Sequence, residues 1–96
     1  MFVLVTYDVN TETDAGKKRL RKVAKQCQNY GQRVQHSVFE CIIDAALLKQ
    51  LQHKLEKLID PEKDSVRFYC MGDEWRNRVD HIGVKTGIDL EGVLLA

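Results

Sequence analysis

The run Phe2-Val3-Leu4-Val5-Thr6-Tyr7, uncharged throughout and closed by Asp8, constrains the fold more than any other stretch. It is short and rich in Val and aromatic types, and turn-formers follow at Asn10, Thr11, Thr13 and Asp14. Those features predict a strand buried on both faces rather than a helix. Asp8 then sits where the strand leaves the core, and its carboxylate has two readings. It hydrogen-bonds the turn backbone at Val9-Asn10, or it presents a metal ligand or acid/base group on a rigid support.

At 96 residues the chain builds one modest core, not two. No apolar run approaches the roughly 20 residues needed to span a bilayer. Asp8 and the following turn interrupt any signal-peptide core, so a cytoplasmic protein is expected. Cys27, Cys41 and Cys70 are widely separated and fall at apolar positions, which predicts buried free thiols rather than a disulfide or zinc site. His36, His53 and His81 lack metal-ligand spacing. The net charge of +1 hides an asymmetry, since residues 1–36 carry +4 and residues 37–96 carry −3. Nucleic acid therefore remains a candidate partner, because the positive charge is local.

Thr13 or Asp14 can cap a helix beginning near Ala15. Leu20, Val23, Ala24 and Cys27 form its apolar face. Lys18, Arg21, Lys22 and Lys25 gather opposite, with Lys17 and Arg19 on the flanks. This stripe is a solvated face or a phosphate-binding one, and from Ala15 onward it has no acidic i, i+4 partners. Gly31 suits a left-handed cap at the helix end. Residues 33–43 read as two short strands, or one bulged strand, broken by Gln35-His36-Ser37. Phe39, Cys41 and Ile43 point one way, and Val38 and Ile42 the other. His36 is an exposed turn residue on this reading.

Asp44 caps a second helix whose apolar face holds Leu47, Leu48, Leu51, Leu55, Leu58 and Ile59, with His53 on the solvent side. Asp60-Pro61 ends it, and residues 62–64 form a loop. Residues 65–70 alternate, with Val66, Phe68 and Cys70 inward and Arg67 and Tyr69 facing out. A weaker strand covers residues 79–84. The order strand-helix-strand-strand-helix-strand predicts an α+β, ferredoxin-like βαββαβ sandwich with an extra C-terminal strand. Its antiparallel sheet would be covered by helices on one face, and a face-to-face homodimer would cover the other. Residues 1–84 form the domain, and residues 85–96 are a tail expected to pack on the dimer partner.

The segments V-L-V-T-Y-D, K-R-L-R-K-V-A-K, G-Q-R-V-Q-H-S-V-F-E and D-S-V-R-F-Y closely resemble the CRISPR-associated Cas-two family. The tail H-I-G-V-K-T-G-I-D-L is similar to the subgroup found with I-C-type systems. The resemblance implies a homodimeric ferredoxin-like fold and a metal-dependent endonuclease, hydrolysing phosphodiester bonds of DNA or RNA. It also implies a part in spacer acquisition and antiviral defence, beside a larger CRISPR integrase. The family's metal-site aspartate falls on Asp8, preceded by Tyr7. Its helix arginines fall on Arg19 and Arg21, its arginine before the S-V-F motif on Arg33, and the motif's serine and phenylalanine on Ser37 and Phe39.

One carboxylate is a poor site for Mg²⁺ or Mn²⁺, which typically takes one or two carboxylates plus waters and substrate phosphate. A two-fold axis would bring a second Asp8. Arg33 or the helix arginines would then hold phosphates. Ser37 would hydrogen-bond a water or phosphate, and Phe39 is expected to pack at the dimer seam. The competing function is a non-catalytic dimeric scaffold whose stripe Lys18, Arg21, Lys22 and Lys25 binds duplex phosphates. A single-strand RNA-binding sheet is less well supported, since residues 38–43 offer Phe39 as their single stacking aromatic.

Overall fold

The computed structural model describes residues 1–71 and 78–84, with Arg78 described by its backbone alone. The elements run β1 (Phe2–Asp8), α1 (Asp14–Gln28), β2 (Gln32–Gln35), β3 (Val38–Ile42), α2 (Ala45–Leu58), β4 (Ser65–Met71) and β5 (Arg78–Gly83). They build one five-stranded sheet in the order β2-β3-β1-β4-β5, with every neighbouring pair antiparallel. This is the expected ferredoxin-like α+β arrangement with its extra strand. β1 lies at the centre, so its carboxyl end is braced from both sides.

Both helices start on the caps their sequences offer. Thr13 Oγ1 accepts from Gly16 N at 3.0 Å, and Asp44 Oδ1 accepts from Leu47 N at 2.8 Å. Each cap satisfies one of the amides that a helix start leaves without an intrahelical partner. A single apolar cluster joins Val3, Val5 and Tyr7 of β1 with Phe39 and Cys41, Val66 and Phe68, Val23 and Cys27, and Leu48, Leu51 and Leu55. Cys27, Cys41 and Cys70 are buried, and none of the three is in a disulfide. Among the described residues no helix is long and apolar enough to cross a membrane.

The structure corrects several local expectations. β1 is not buried on both faces: Val3, Val5 and Tyr7 are buried, while Phe2, Leu4 and Thr6 are half-buried. The helices cover one side of the sheet, and an all-apolar run hides that difference. Tyr69 does lie on the face away from the helices, in register with Leu4 and Val79, but it is only 4% exposed. Leu47 is exposed beside the buried Leu48 and Leu51.

Gly31 is not a left-handed cap, because the only positive-φ glycine among the described residues is Gly83. Its small size serves close packing instead, as a Cβ there would collide with the Glu40 carbonyl oxygen and Cys41 Sγ. The bend between β2 and β3 is a hairpin, with a register irregularity between Arg33 and Gln35. The expected packing of residues 85–96 lies outside the described residues.

Candidate functional site

Asp8 is the last residue of β1 and is exposed. It shares the parity of Phe2, Leu4 and Thr6, which places it on the face away from the helices. Its register partner on β4 is Ser65, and Thr6 pairs with Arg67. Arg67 thus stands diagonally beside Asp8 on the same face. Among the described residues no hydrogen bond or ion pair engages the Asp8 carboxylate or the Arg67 guanidinium. The turn reading of Asp8, in which its side chain bonds the backbone after it, therefore does not hold. Arg67 escaped notice as a site residue, although the alternation of Val66 and Phe68 already turned it to the open face.

The β2–β3 hairpin flanks the other side of the β1 end. Tyr7 N donates to Ser37 O at 3.1 Å, and the Tyr7 hydroxyl donates to His36 O at 3.2 Å. Tyr7 and Phe39 stack with centroids 6.2 Å apart, and the Arg33 guanidinium lies 5.2 Å from the centre of the Phe39 ring. Burial pushes the Tyr7 hydroxyl above its ordinary pKa against the opposing pull of Arg33, so it stays a donor. Burial also pushes the Cys27 thiol up to about 12, with Cys41 adding to the effect, which leaves this sulfur inert near neutrality. A groove of about 790 Å³ follows the hairpin, lined by Arg33, Val34, Gln35, His36, Ser37 and Val38.

Tyr7, Phe39 and Arg33 lie together on the helix-covered side, and Ser37 sits in the hairpin turn bonded to the Tyr7 amide. Asp8 stands on the opposite face of the sheet, so the structure does not bring Arg33 to the acid. Phe39 does not reach a dimer seam: it is fully buried in the core of its own chain, on the helix-covered side. Lys18, Arg21, Lys22 and Lys25 are exposed along α1, on the layer opposite the Asp8 face. Arg19 stands apart from that stripe. Its Nε donates to Asp64 Oδ2 at 2.8 Å, and its side chain is 19% exposed against 0% for Asp64. The expected phosphate-binding role of Arg19 gives way to an internal ion pair. Among the described residues no group of three or more His, Cys, Asp or Glu side chains could hold a metal.

Fold and site together define a ferredoxin-like α+β domain that presents a free carboxylate at the end of its central strand and a cationic helix on its other layer. Residues 1–79 match the family model described as CRISPR associated protein Cas2. The chain is 60% identical over 95 residues to a CRISPR-associated endoribonuclease Cas2 of Chlorobaculum tepidum, covering 99% of each chain. It is 59% identical over 95 residues to a CRISPR-associated endonuclease Cas2 of Halalkalibacterium halodurans, again covering 99% of each. A crystal structure of Streptococcus pyogenes Cas2 at pH 6.5 superposes with a TM-score of 0.71 at 60% identity, covering 78% of this chain and 90% of that one. The protein belongs to the Cas2 family of CRISPR-associated proteins.

Proposed function

We propose that the protein is a divalent-metal-dependent endonuclease that hydrolyses phosphodiester bonds of DNA or RNA as a homodimer and acts in CRISPR spacer acquisition. One observation carries this reading. An exposed carboxylate stands at the end of the central strand beside Arg67, and neither side chain has a partner among the described residues. Relatives named endoribonuclease and endonuclease support the reaction class. The open sheet face supports the dimer. Ile42 is 83% exposed there, Phe2 pairs with both Ile42 and Met71, and such an apolar strip favours burial against a second copy.

Asp8 from each protomer would hold Mg²⁺ or Mn²⁺ together with waters and a substrate phosphate, a donor set of hard oxygens that suits these ions. The ion, when bound, supplies charge neutralisation at phosphate and acidifies water. Arg67 holds phosphate oxygens, and guanidinium geometry favours two parallel hydrogen bonds. Tyr7 and Phe39 keep the hairpin against β1, so Ser37 stays at the strand end. In an Asp8→Asn protein, metal-dependent cleavage should fall at least about a hundredfold while dimerisation and nucleic-acid binding persist. Undiminished cleavage by that variant would refute the assignment.

A scaffold role is the second reading, and the exposed run Lys18, Arg21, Lys22 and Lys25 supports it. In that role the dimer sits between copies of the larger integrase and binds incoming duplex through phosphates, without need of Asp8.

A further inference from the structure

The chain that leaves Asp8 is held from behind by a buried carboxylate. Asp64 is fully buried. Its Oδ1 accepts from Asn10 N at 3.0 Å, and its Oδ2 accepts from Asp60 N at 2.9 Å and from Arg19 Nε at 2.8 Å. Arg19 Nη2 adds a longer hydrogen bond to Oδ1 at 3.4 Å. Three separate pieces of chain therefore converge on one side chain: the loop after β1, the second turn of α1 and the loop after α2. All of these partners are donors, and an ionised carboxylate is the side chain that can accept from them all.

The next residue, Ser65, is the register partner of Asp8. Residues 64 and 65 thus grip the exit of β1 at two points, the ladder at Asp8 and the carboxylate at Asn10. Val9 between them is in the core. On the far side, Asn10 lies so close to α1 that a Cβ at Gly16 would collide with its carbonyl oxygen. The Asp8 side chain has no lateral support among the described residues, so its place is set through its backbone.

We propose that Asp64 is a positioning residue for Asp8, fixing the exit of β1 so that the Asp8 carboxylate stands at one place on the open face. This rests on the reading of Asp8 as the catalytic centre. A merely stabilising residue would cost activity only as far as it costs folding. A positioning residue costs activity in protein that remains folded.

The test compares Asp64→Asn, Arg19→Gln and the core truncation Leu55→Ala in the full chain, below their unfolding transitions. Amide hydrogen exchange is read at Tyr7, whose amide is bonded to Ser37 O, and Mn²⁺-dependent cleavage is measured on the same samples. Asp64→Asn is expected to speed Tyr7 exchange about tenfold and to lower kcat about tenfold, with substrate binding within about twofold of wild type. Arg19→Gln leaves the Asn10 and Asp60 bonds in place and is expected to move both readouts about threefold. Leu55→Ala is expected to leave the folded protein's kcat unchanged.

Wild-type Tyr7 exchange in Asp64→Asn overturns the proposal, as does an equal loss of kcat in Leu55→Ala. If Asp64→Asn does not fold, Arg19→Gln decides by the same two readouts. Full activity in Asp8→Asn defeats the catalytic reading instead, and the Tyr7 exchange rate still decides what Asp64 does.

Discussion

Arg19 Nε lies 2.8 Å from Asp64 Oδ2, a pair that joins residues 45 apart in the chain. It ties the second turn of α1 to the loop residue that leads into β4, the strand paired with Asp8, and it removes one cation from a helix face that otherwise points its charge at solvent. The pair and its amide donors also give the fold an acid-sensitive joint.

That joint predicts a pH dependence. Burial acts to raise the Asp64 pKa, but the Arg19 guanidinium and the amides of Asp60 and Asn10 outweigh it and hold the carboxyl below its usual range. Between the two pKa values the unfolded chain binds more protons than the native one, so stability there rises with pH. The contribution is fully present above the unfolded value of about 3.9 and is lost as pH falls through the lower folded value. Asp64→Ala should lower stability at pH 7, since each orphaned amide costs about 1–3 kcal/mol. Urea titrations should find the gap from wild type narrowing towards pH 2, and a gap independent of pH would contradict this.

Phe39 is a core residue, and its removal should act accordingly. Phe39→Ala is expected to cost about 3–5 kcal/mol of folding stability, the range for truncating a buried aromatic. Equilibrium unfolding in urea measures it. A variant with wild-type stability and a weakened dimer would return Phe39 to the seam.

Ile42 is the converse case, 83% exposed in the single chain. Ile42→Asp should leave the fold almost intact, because exposed substitutions usually fall within about 0.5 kcal/mol. It should convert the dimer to monomer in sedimentation at micromolar concentration. A stable Ile42→Asp dimer would place the interface elsewhere.

The α1 cations should bind phosphates. Lys22→Ala and Lys25→Ala are each expected to weaken duplex binding and to reduce the slope of log K against log salt by about 0.9, the value for one phosphate no longer neutralised. Arg19→Ala should lower stability without that change in slope. Fluorescence anisotropy across a salt series measures both, and an Arg19 effect equal to that of Lys22 would contradict the separation.

The helices were legible because their signals are local. The spacing of Val23 with Cys27 and of Leu48, Leu51 and Leu55, with Thr13 and Asp44 before them, is written within one or two turns. The pairing of two short strands around His36 was legible for the same reason. Asp64 was not. It reads as one more polar loop residue after Glu62-Lys63, and its burial depends on Arg19 and Asn10, which arrive from elsewhere. Gly31 likewise depends on how closely β3 approaches, which no local pattern encodes. Asp8 stood out as the acid ending an apolar run, whereas Arg67 needed the register with Thr6 before it could be placed beside that acid.

The central claim is that two Asp8 carboxylates act together, and mixed dimers test it directly. Wild-type and Asp8→Asn chains would be refolded together in equal amounts, allowed to pair at random, and assayed for Mn²⁺-dependent cleavage. If the site needs both acids, activity should fall to about one quarter of that of the same total of wild-type chains, because only that share of dimers carries both. Retention of about one half would mean that each Asp8 works alone, and the paired site would be wrong.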